Sequence, residues 1–377
     1  MTTTGTLGAV VRLARVKFLF QSLLVVGLGV TVAVHETGAF SPRWYVVTVA
    51  FAWVTHLMTH FSNDYFDLEA DRANPAPTSW TGGSRVLVDG LLPPVAGLGA
   101  AFVLLFTGVG LTAVMPTPSA RLTAAALTAL AWFYTAPPAR LNYRAMGEAT
   151  CAVVLYGIGP VLAALLQAGP VSGTLLGCTA VVCALQVARC LVMNLCDIEG
   201  DTRVGKLTLA GALGPRRAVR AYVATQAVVH PGVVLLALAG YLPVPAALAV
   251  LVLAPVPWWV TRLLVSGAAR DPERAESVAL WSSVQLPFTS CALSLGLLAD
   301  MLARGRPIPG AWGPLAVATV GVFALWLLRT LRRGRPRTGT GAPSAQHPGV
   351  RTEPTPAPGA GAAPGAGELG PAPGTAR

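Results

Sequence analysis

"FSNDYFDLEADR", residues 61–72, closes a long apolar run and holds Asp64, Asp67, Glu69 and Asp71, four of only 16 acidic residues in 377. Scarce negative charge gathered at one point of a hydrophobic chain needs a cause. The pattern recurs: "DLEAD" at 67–71 returns as "DIEGD" at 197–201, and extending the alignment backwards sets Asp64 against Asn194. If the helix entering each motif continues through it, Asp64, Asp67 and Asp71 stand at i, i+3 and i+7 and share one face, as do Asn194, Asp197 and Asp201. Glu69 and Glu199 then fall off that face, toward solvent. Carboxylates crowded on one helix face repel one another unless cations sit among them. Clustered oxygen ligands with room for water suit Mg²⁺, which is held by a few carboxylates together with substrate phosphates. Two such faces, opposed, would hold Mg²⁺ around one diphosphate.

The surrounding chain is 54% hydrophobic and 11% charged, less than half of the roughly 25% charged expected of a soluble domain. Ten apolar stretches approach the length of about 20 residues that a spanning helix needs: 18–37, 44–62, 92–114, 120–136, 149–168, 173–195, 219–240, 243–265, 278–300 and 312–330. No alternating polar and apolar strands occur, so the reading is an all-α polytopic membrane protein embedded in a lipid bilayer, not a β-barrel. The first stretch lacks a small-residue cleavage site and is followed by more spans, so it reads as a retained helix.

The net charge of +11 raises the question of nucleic acid, but its distribution argues for no nucleic-acid partner. With the N-terminus inside, 20 Lys and Arg fall in inside segments against four outside, Arg43, Arg121, Arg304 and Arg306. This bias predicts an even number of spans in a cell membrane, with both termini cytoplasmic. Each acidic motif follows an even-numbered span and so emerges on the inside face, as two related halves would place it. The organisation expected is a cytoplasmic N-terminus over 1–17, a transmembrane domain over 18–330, and a basic, then Pro/Gly/Ala-rich tail over 331–377 that is too poor in apolar residues to fold. The six cysteines lie in or beside apolar spans without a CxxC pair and read as packing residues.

Basic residues follow both motifs. Arg85 stands in "TGGSRVLVDG", and Arg203 and Lys206 stand in "DTRVGKLTLAGALG"; all three are candidates for diphosphate oxygens. Arg189 lies inside the sixth span, two turns before Asp197. An intramembrane Arg is costly and is expected to face a cavity or pair with an acid, and we read it as a further diphosphate contact. His60 and His56, one and two turns before Asp64, are placed to touch a substrate, His60 the more directly.

"NDYFDLEAD" resembles the NDxxDxxxD motif of the UbiA-type intramembrane prenyltransferases, and "DIEGD" followed by "RVGKLTLA" resembles their second DxxxD motif. The likeness runs over roughly residues 10–300. Within that superfamily, "GGSRVLVDGLL" and "YTAPPARLNYRAMGE" are most similar to the 1,4-dihydroxy-2-naphthoate prenyltransferases of menaquinone biosynthesis. The resemblance implies a ring of nine transmembrane helices around a central cavity, to which 312–330 would add a tenth, C-terminal helix. It implies that Asp64, Asp67, Asp71, Asp197 and Asp201 are catalytic and hold Mg²⁺, with Asn63 and Asn194 as auxiliary ligands and substrate contacts. It also implies substrate contacts from Tyr134 and Arg144, after the fourth span.

The reaction implied is Mg²⁺-dependent transfer of an isoprenoid group from a prenyl diphosphate to an aromatic acceptor, a quinone precursor. Two other readings use the same fold: a membrane terpene cyclase, and prenyl transfer to a non-aromatic acceptor. A third reading, a cation-coupled transporter, would use the acids as an ion path, although transporter sites usually lie near mid-membrane on broken helices.

Overall fold

The computed structural model describes residues 3–75, 77 and 80–333. The expected disordered tail falls almost wholly outside them. Sixteen α-helices make up the described fold, and its one β-type feature is an isolated bridge between Arg144 and Leu207.

The expected cytoplasmic N-terminus contains a helix, α1 (Thr3–Leu13). It meets α2 (Val16–Thr37) through Arg15, whose backbone is left-handed at φ 46°. Gly38 ends α2 with φ 70° and donates its N–H to the Val34 carbonyl. α3 (Pro42–Phe66) returns across the molecule; Ser41 accepts the Trp44 N–H at its start, and Pro42 supplies a preset φ. α4 (Leu68–Ala73) is a single short continuation of α3. α5 (Pro94–Ala113) and α6 (Pro118–Phe133) form the next hairpin, and Thr117 caps α6 through the Ala120 N–H at 3.2 Å.

α7 (Gly147–Ala152) runs through a π turn at Val153–Ile158 into α8 (Gly159–Leu166). α9 (Gly173–Leu195), capped by Ser172, is followed by the short α10 (Ile198–Arg203) and α11 (Leu209–Leu213). α12 (Pro215–Leu238), α13 (Val244–Leu251), α14 (Pro255–Val265), α15 (Pro272–Ala303) and α16 (Trp312–Arg333) complete the chain.

Eight of these segments are long and apolar enough to cross a membrane: α2, α5, α7 with α8, α9, α12, α13 with α14, α15 and α16. Two of the ten expected spans fall outside that set. α3 has ample length at 25 residues, but it carries His56, His60, Asn63 and Asp64, and these polar groups lower its hydropathy. α6 is regular for only 16 residues.

α2 and α9 are the most enclosed helices, while α5, α12 and α16 expose broad apolar faces, as lipid-facing helices do. Lipid tails are as apolar as the side chains, so helix association here depends on close packing and on hydrogen bonds between helices. Gly29 lets α2 lie directly on α8: a Cβ there would stand 2.2 Å from the Pro160 carbonyl oxygen. Polar pairs join other helices, among them His35 of α2 to Asp300 of α15 at 2.8 Å, and Gln226 of α12 to Gln285 of α15 at 2.9 and 3.1 Å.

Candidate active site

Both acidic motifs sit on a break in the helix. The simple expectation of one helix running on through Asp71 needs correction: α3 stops at Phe66, and Asp67, with φ −96° and ψ 9°, turns the chain into α4. The second copy does the same. α9 stops at Leu195, and Asp197, with φ −98° and ψ −8°, leads into α10. In each copy the backbone N–H four residues on, of Asp71 or Asp201, donates to the carbonyl of the Asp at the break at 2.9 Å. The break is therefore tight and the acids stay close. The sequence repeat is a repeat of backbone geometry, and α4 packs against α10. Glu69 and Glu199 point outward as expected and pair with Arg72 and Arg203 at the surface.

The inward acids are buried. Asp64 is 2% exposed and is paired with the Arg15 guanidinium; it also accepts from the Ser84 hydroxyl and, at 3.2 Å, from the Ser84 N–H. Asp67, 3% exposed, accepts from Asn63 at 2.8 Å, Thr135 at 3.1 Å, Asn142 at 3.0 Å and Lys206 at 3.0 Å. Lys206 also reaches Asp201 at 3.2 Å, so one ammonium joins the two motif copies. Burial works against its charge, but Asp67 and Asp201 hold it protonated well above the ordinary lysine range. Asp197 accepts from Asn74 at 2.8 Å. Asp71 lies against Gly83, where a Cβ would stand 2.0 Å from its Oδ2; with φ 76° as well, that position requires glycine.

The charge does not balance. Five carboxylates, Asp64, Asp67, Asp71, Asp197 and Asp201, share two paired cations, Arg15 and Lys206. Burial, reinforced by Asp64 and Asp67 against the pull of Arg15, pushes the Asp71 carboxyl up to about 8. Burial likewise raises Asp201 to about 6 against the pull of Lys206. The Asp201 Oδ2 is buried with no hydrogen-bond partner. Among the described residues no three acid, imidazole or thiol groups converge tightly enough to hold a metal unaided. The donor set nevertheless fits Mg²⁺, which takes few protein ligands and completes its shell with water and phosphate oxygens.

Above the acids a cavity of about 270 Å³ runs inward. Its mouth is lined by Arg15, Asp67, Asp71, Trp80, Gly83, Asp197 and Lys206. Its middle carries His56, His60, Tyr134, Cys151, Gln186 and Arg189, and its far end is apolar, with Val25, Phe51, Leu127, Leu155 and Leu162. The π turn between α7 and α8 contributes Val154 and Leu155 to this wall. His60 donates from Nδ1 to the Ala14 carbonyl, and His56 Nδ1 is 2.7 Å from the Ser22 hydroxyl.

The other candidates divide. Asn63, Asn194, Tyr134, His60 and Arg189 line the cavity with Asp67, Asp71 and Asp197, whereas Asp64 and Asp201 do not line it. Arg85 holds the Asp71 carbonyl oxygen, in a left-handed backbone conformation with φ 65°, and does not itself line the cavity. Arg203, its side chain 57% exposed, is taken by Glu199 at the surface, and Arg144 reaches only the Pro138 carbonyl at 3.2 Å. Neither lines the cavity.

Two charged residues of the site were not singled out in the sequence. Arg15 looked like one more inside-loop charge. Glu148, 1% exposed, accepts from Asn194 at 2.7 Å and from the Leu209 and Ala210 N–H groups that open α11. It thereby fastens the segment after Lys206 to the second motif. The one available signal was its place in "YTAPPARLNYRAMGE".

The chain matches the family model described as the UbiA prenyltransferase family over residues 22–284. No curated protein matches it. Solved structures of similar fold include the apo form of a UbiA homolog from Aeropyrum pernix K1, at 18% identity and TM-score 0.58, covering 76% of this chain and 98% of that one. A UbiA homolog from Archaeoglobus fulgidus bound to GPP and Mg²⁺ is similar at 13% identity and TM-score 0.53, covering 76% and 99%. A structure from work on digeranylgeranylglyceryl phosphate synthase in membranes is similar at 16% identity and TM-score 0.56, covering 78% and 99%.

Proposed function

The chain belongs to the UbiA prenyltransferase family, and we propose that it moves a prenyl group from a prenyl diphosphate to an acceptor bound in the same cavity, within the bilayer. The observation that carries this reading is the pair of matched helix breaks, joined through Lys206, that gathers five acids and sets three of them, Asp67, Asp71 and Asp197, on the wall of a cavity with an apolar end. A diphosphate belongs at the mouth and a hydrocarbon chain at the far end. Asp64, Asp67, Asp71, Asp197 and Asp201 would hold Mg²⁺, with Asn63 and Asn194 beside them. Bound Mg²⁺ supplies neutralisation of the charge that develops on the departing diphosphate.

The chain's own groups do the rest. Lys206 and Arg85 offer donors to phosphate oxygens as the C–O bond ionises. Phe18, Trp80 and Tyr134 line the cavity with aromatic rings whose faces favour an allylic cation. Val25, Val154, Leu155 and Leu162 keep water from quenching it. If α3 and α6 also cross, nine helices from α2 to α15 form the family ring and α16 is an addition to it. The inside excess of Lys and Arg sets the acid-bearing face, and both termini, in the cytoplasm.

For the acceptor, the comparisons lend more support to a non-aromatic hydroxyl compound. One of the similar structures comes from work on a synthase of digeranylgeranylglyceryl phosphate, a non-aromatic product. A second reading, an aromatic acceptor such as 1,4-dihydroxy-2-naphthoate, rests on "GGSRVLVDGLL" and "YTAPPARLNYRAMGE". The test is product mass from the full chain in nanodiscs, supplied with Mg²⁺, geranyl diphosphate and either glycerol phosphate or 1,4-dihydroxy-2-naphthoate. A prenyl adduct, lost without Mg²⁺ and in Asp197→Asn, is expected. Release of diphosphate with a cyclised hydrocarbon and no adduct would replace transfer by cyclisation.

A further inference from the structure

Arg189 is 9% exposed, sits on α9 within a membrane-spanning segment, and lines the cavity. Its Nε donates to the Ser283 hydroxyl at 3.3 Å, and its guanidinium lies 5.9 Å from the Phe18 ring. Among the described residues it has no acidic partner, and its two terminal nitrogens make no hydrogen bond. A guanidinium cannot lose its proton to escape burial, and a buried charge is ordinarily paired. The carboxylates nearby are engaged elsewhere. Glu148 is held by Asn194 and the start of α11. Asp197 lies beyond the end of α9, and the six residues after Arg189, to Leu195, alone span about 9 Å of helix. That separation also sets Arg189 deeper than the acid-lined mouth where a diphosphate belongs. Its neighbour in the cavity, His56, is bonded to Ser22 and brings no negative charge.

We propose that Arg189 is the specificity-determining contact for the acceptor, and that the acceptor carries an anionic group, a carboxylate or a phosphate monoester, which the unpaired end of this guanidinium holds as the acceptor enters the cavity. The inference rests on the prenyl-transfer reading for the word acceptor, but the anion site stands on its own geometry. A planar fork of donors suits either anion. A neutral analogue would leave the buried cation unpaired and should be rejected. The assignment moves Arg189 from the diphosphate, where its sequence position had suggested it, to the second substrate.

The test is binding without turnover. The full chain in nanodiscs, with Mg²⁺ and inorganic diphosphate present to fill the mouth, is titrated with glycerol phosphate, with 1,4-dihydroxy-2-naphthoate, and with their neutral counterparts glycerol and 1,4-dihydroxynaphthalene. One of the two acids should bind saturably and its neutral counterpart should not; which acid binds distinguishes phosphate from carboxylate. Arg189→Gln should weaken that acid by about ten- to a hundredfold, the loss of one charge-assisted contact, and Arg189→Lys by less. Inorganic diphosphate affinity in both variants should match the parent, which also reports that they are folded. Saturable binding of neither acid, equal binding of acid and neutral analogue, or loss of diphosphate affinity in Arg189→Gln would each overturn the assignment. None of these depends on catalysis, so failure of the prenyl-transfer reading would be seen separately, as absence of any prenylated or cyclised product.

Discussion

Asp67 is the most heavily engaged carboxylate in the site, receiving Asn63, Thr135, Asn142 and Lys206 at once. Those donors fix the position of the carboxylate at the cavity wall. Asp67→Asn preserves the shape and removes the charge. Diphosphate release at saturating Mg²⁺ and geranyl diphosphate should fall by about a hundredfold or more, as happens when one preorganised electrostatic group is lost where charge develops. A variant within a few-fold of the parent would take Asp67 out of the reaction.

Lys206 makes a different prediction, because it spans Asp67 and Asp201. Lys206→Met leaves both acids buried without their cation, a change that costs about 3–5 kcal/mol for a broken buried pair. The Tm in detergent should fall without divalent ions and recover in part when MgCl₂ is added. If Mg²⁺ gave no recovery, the acids would not be its ligands.

At the scale of elements, the break between α3 and α4 and its counterpart between α9 and α10 do what an unbroken helix would not. They keep Asp67 and Asp197 as pivots while the following short helices set Asp71 on the cavity wall and Asp201 against Lys206. Helix packing sets the cavity wall with equal strictness. α2 lies on α8 through Gly29, where an added methyl would meet the Pro160 carbonyl oxygen at 2.2 Å and the Ala163 Cβ at 2.8 Å. Gly27, two residues earlier, would place a Cβ in open space. Gly29→Ala should therefore destabilise the detergent-solubilised protein by about 1–3 kcal/mol, the range for overpacking, and Gly27→Ala should leave it near the parent. Equal melting temperatures for the two variants would show that α2 can slide away from α8 at no cost.

At the scale of the whole molecule, α16 stands apart from the chemistry. It covers α2 and α15 with apolar and aromatic contacts: Phe20 lies 5.7 Å from Phe323 and 4.6 Å from Trp326, and Trp312 packs between Phe40 and Tyr45. No α16 side chain lines the cavity, and α16 comes near it through Trp326 against Trp80. A chain ending at residue 310 should melt earlier yet retain most of its diphosphate release. A truncated protein that stays folded but is inactive would give α16 a part in the site.

Much of this molecule was readable before folding was considered. Run length and apolarity mark the spans because the bilayer is a solvent that every helix meets locally. The acidic repeat marked the matched helix breaks beside the cavity, since charge is costly near a membrane and stands out against an apolar chain. Neighbourhood was what only the tertiary structure decided. Arg15 and Arg203 are both basic residues beside apolar spans, yet one is buried against Asp64 and the other pairs with Glu199 in solvent. The turn at Asp67, the fastening of α11 by Glu148 and the unpaired state of Arg189 likewise depend on helices distant in sequence. Periodicity along one helix says which residues share a face; which partner that face meets is set by packing between helices, and that decides which charges are neutralised and which are left for a substrate.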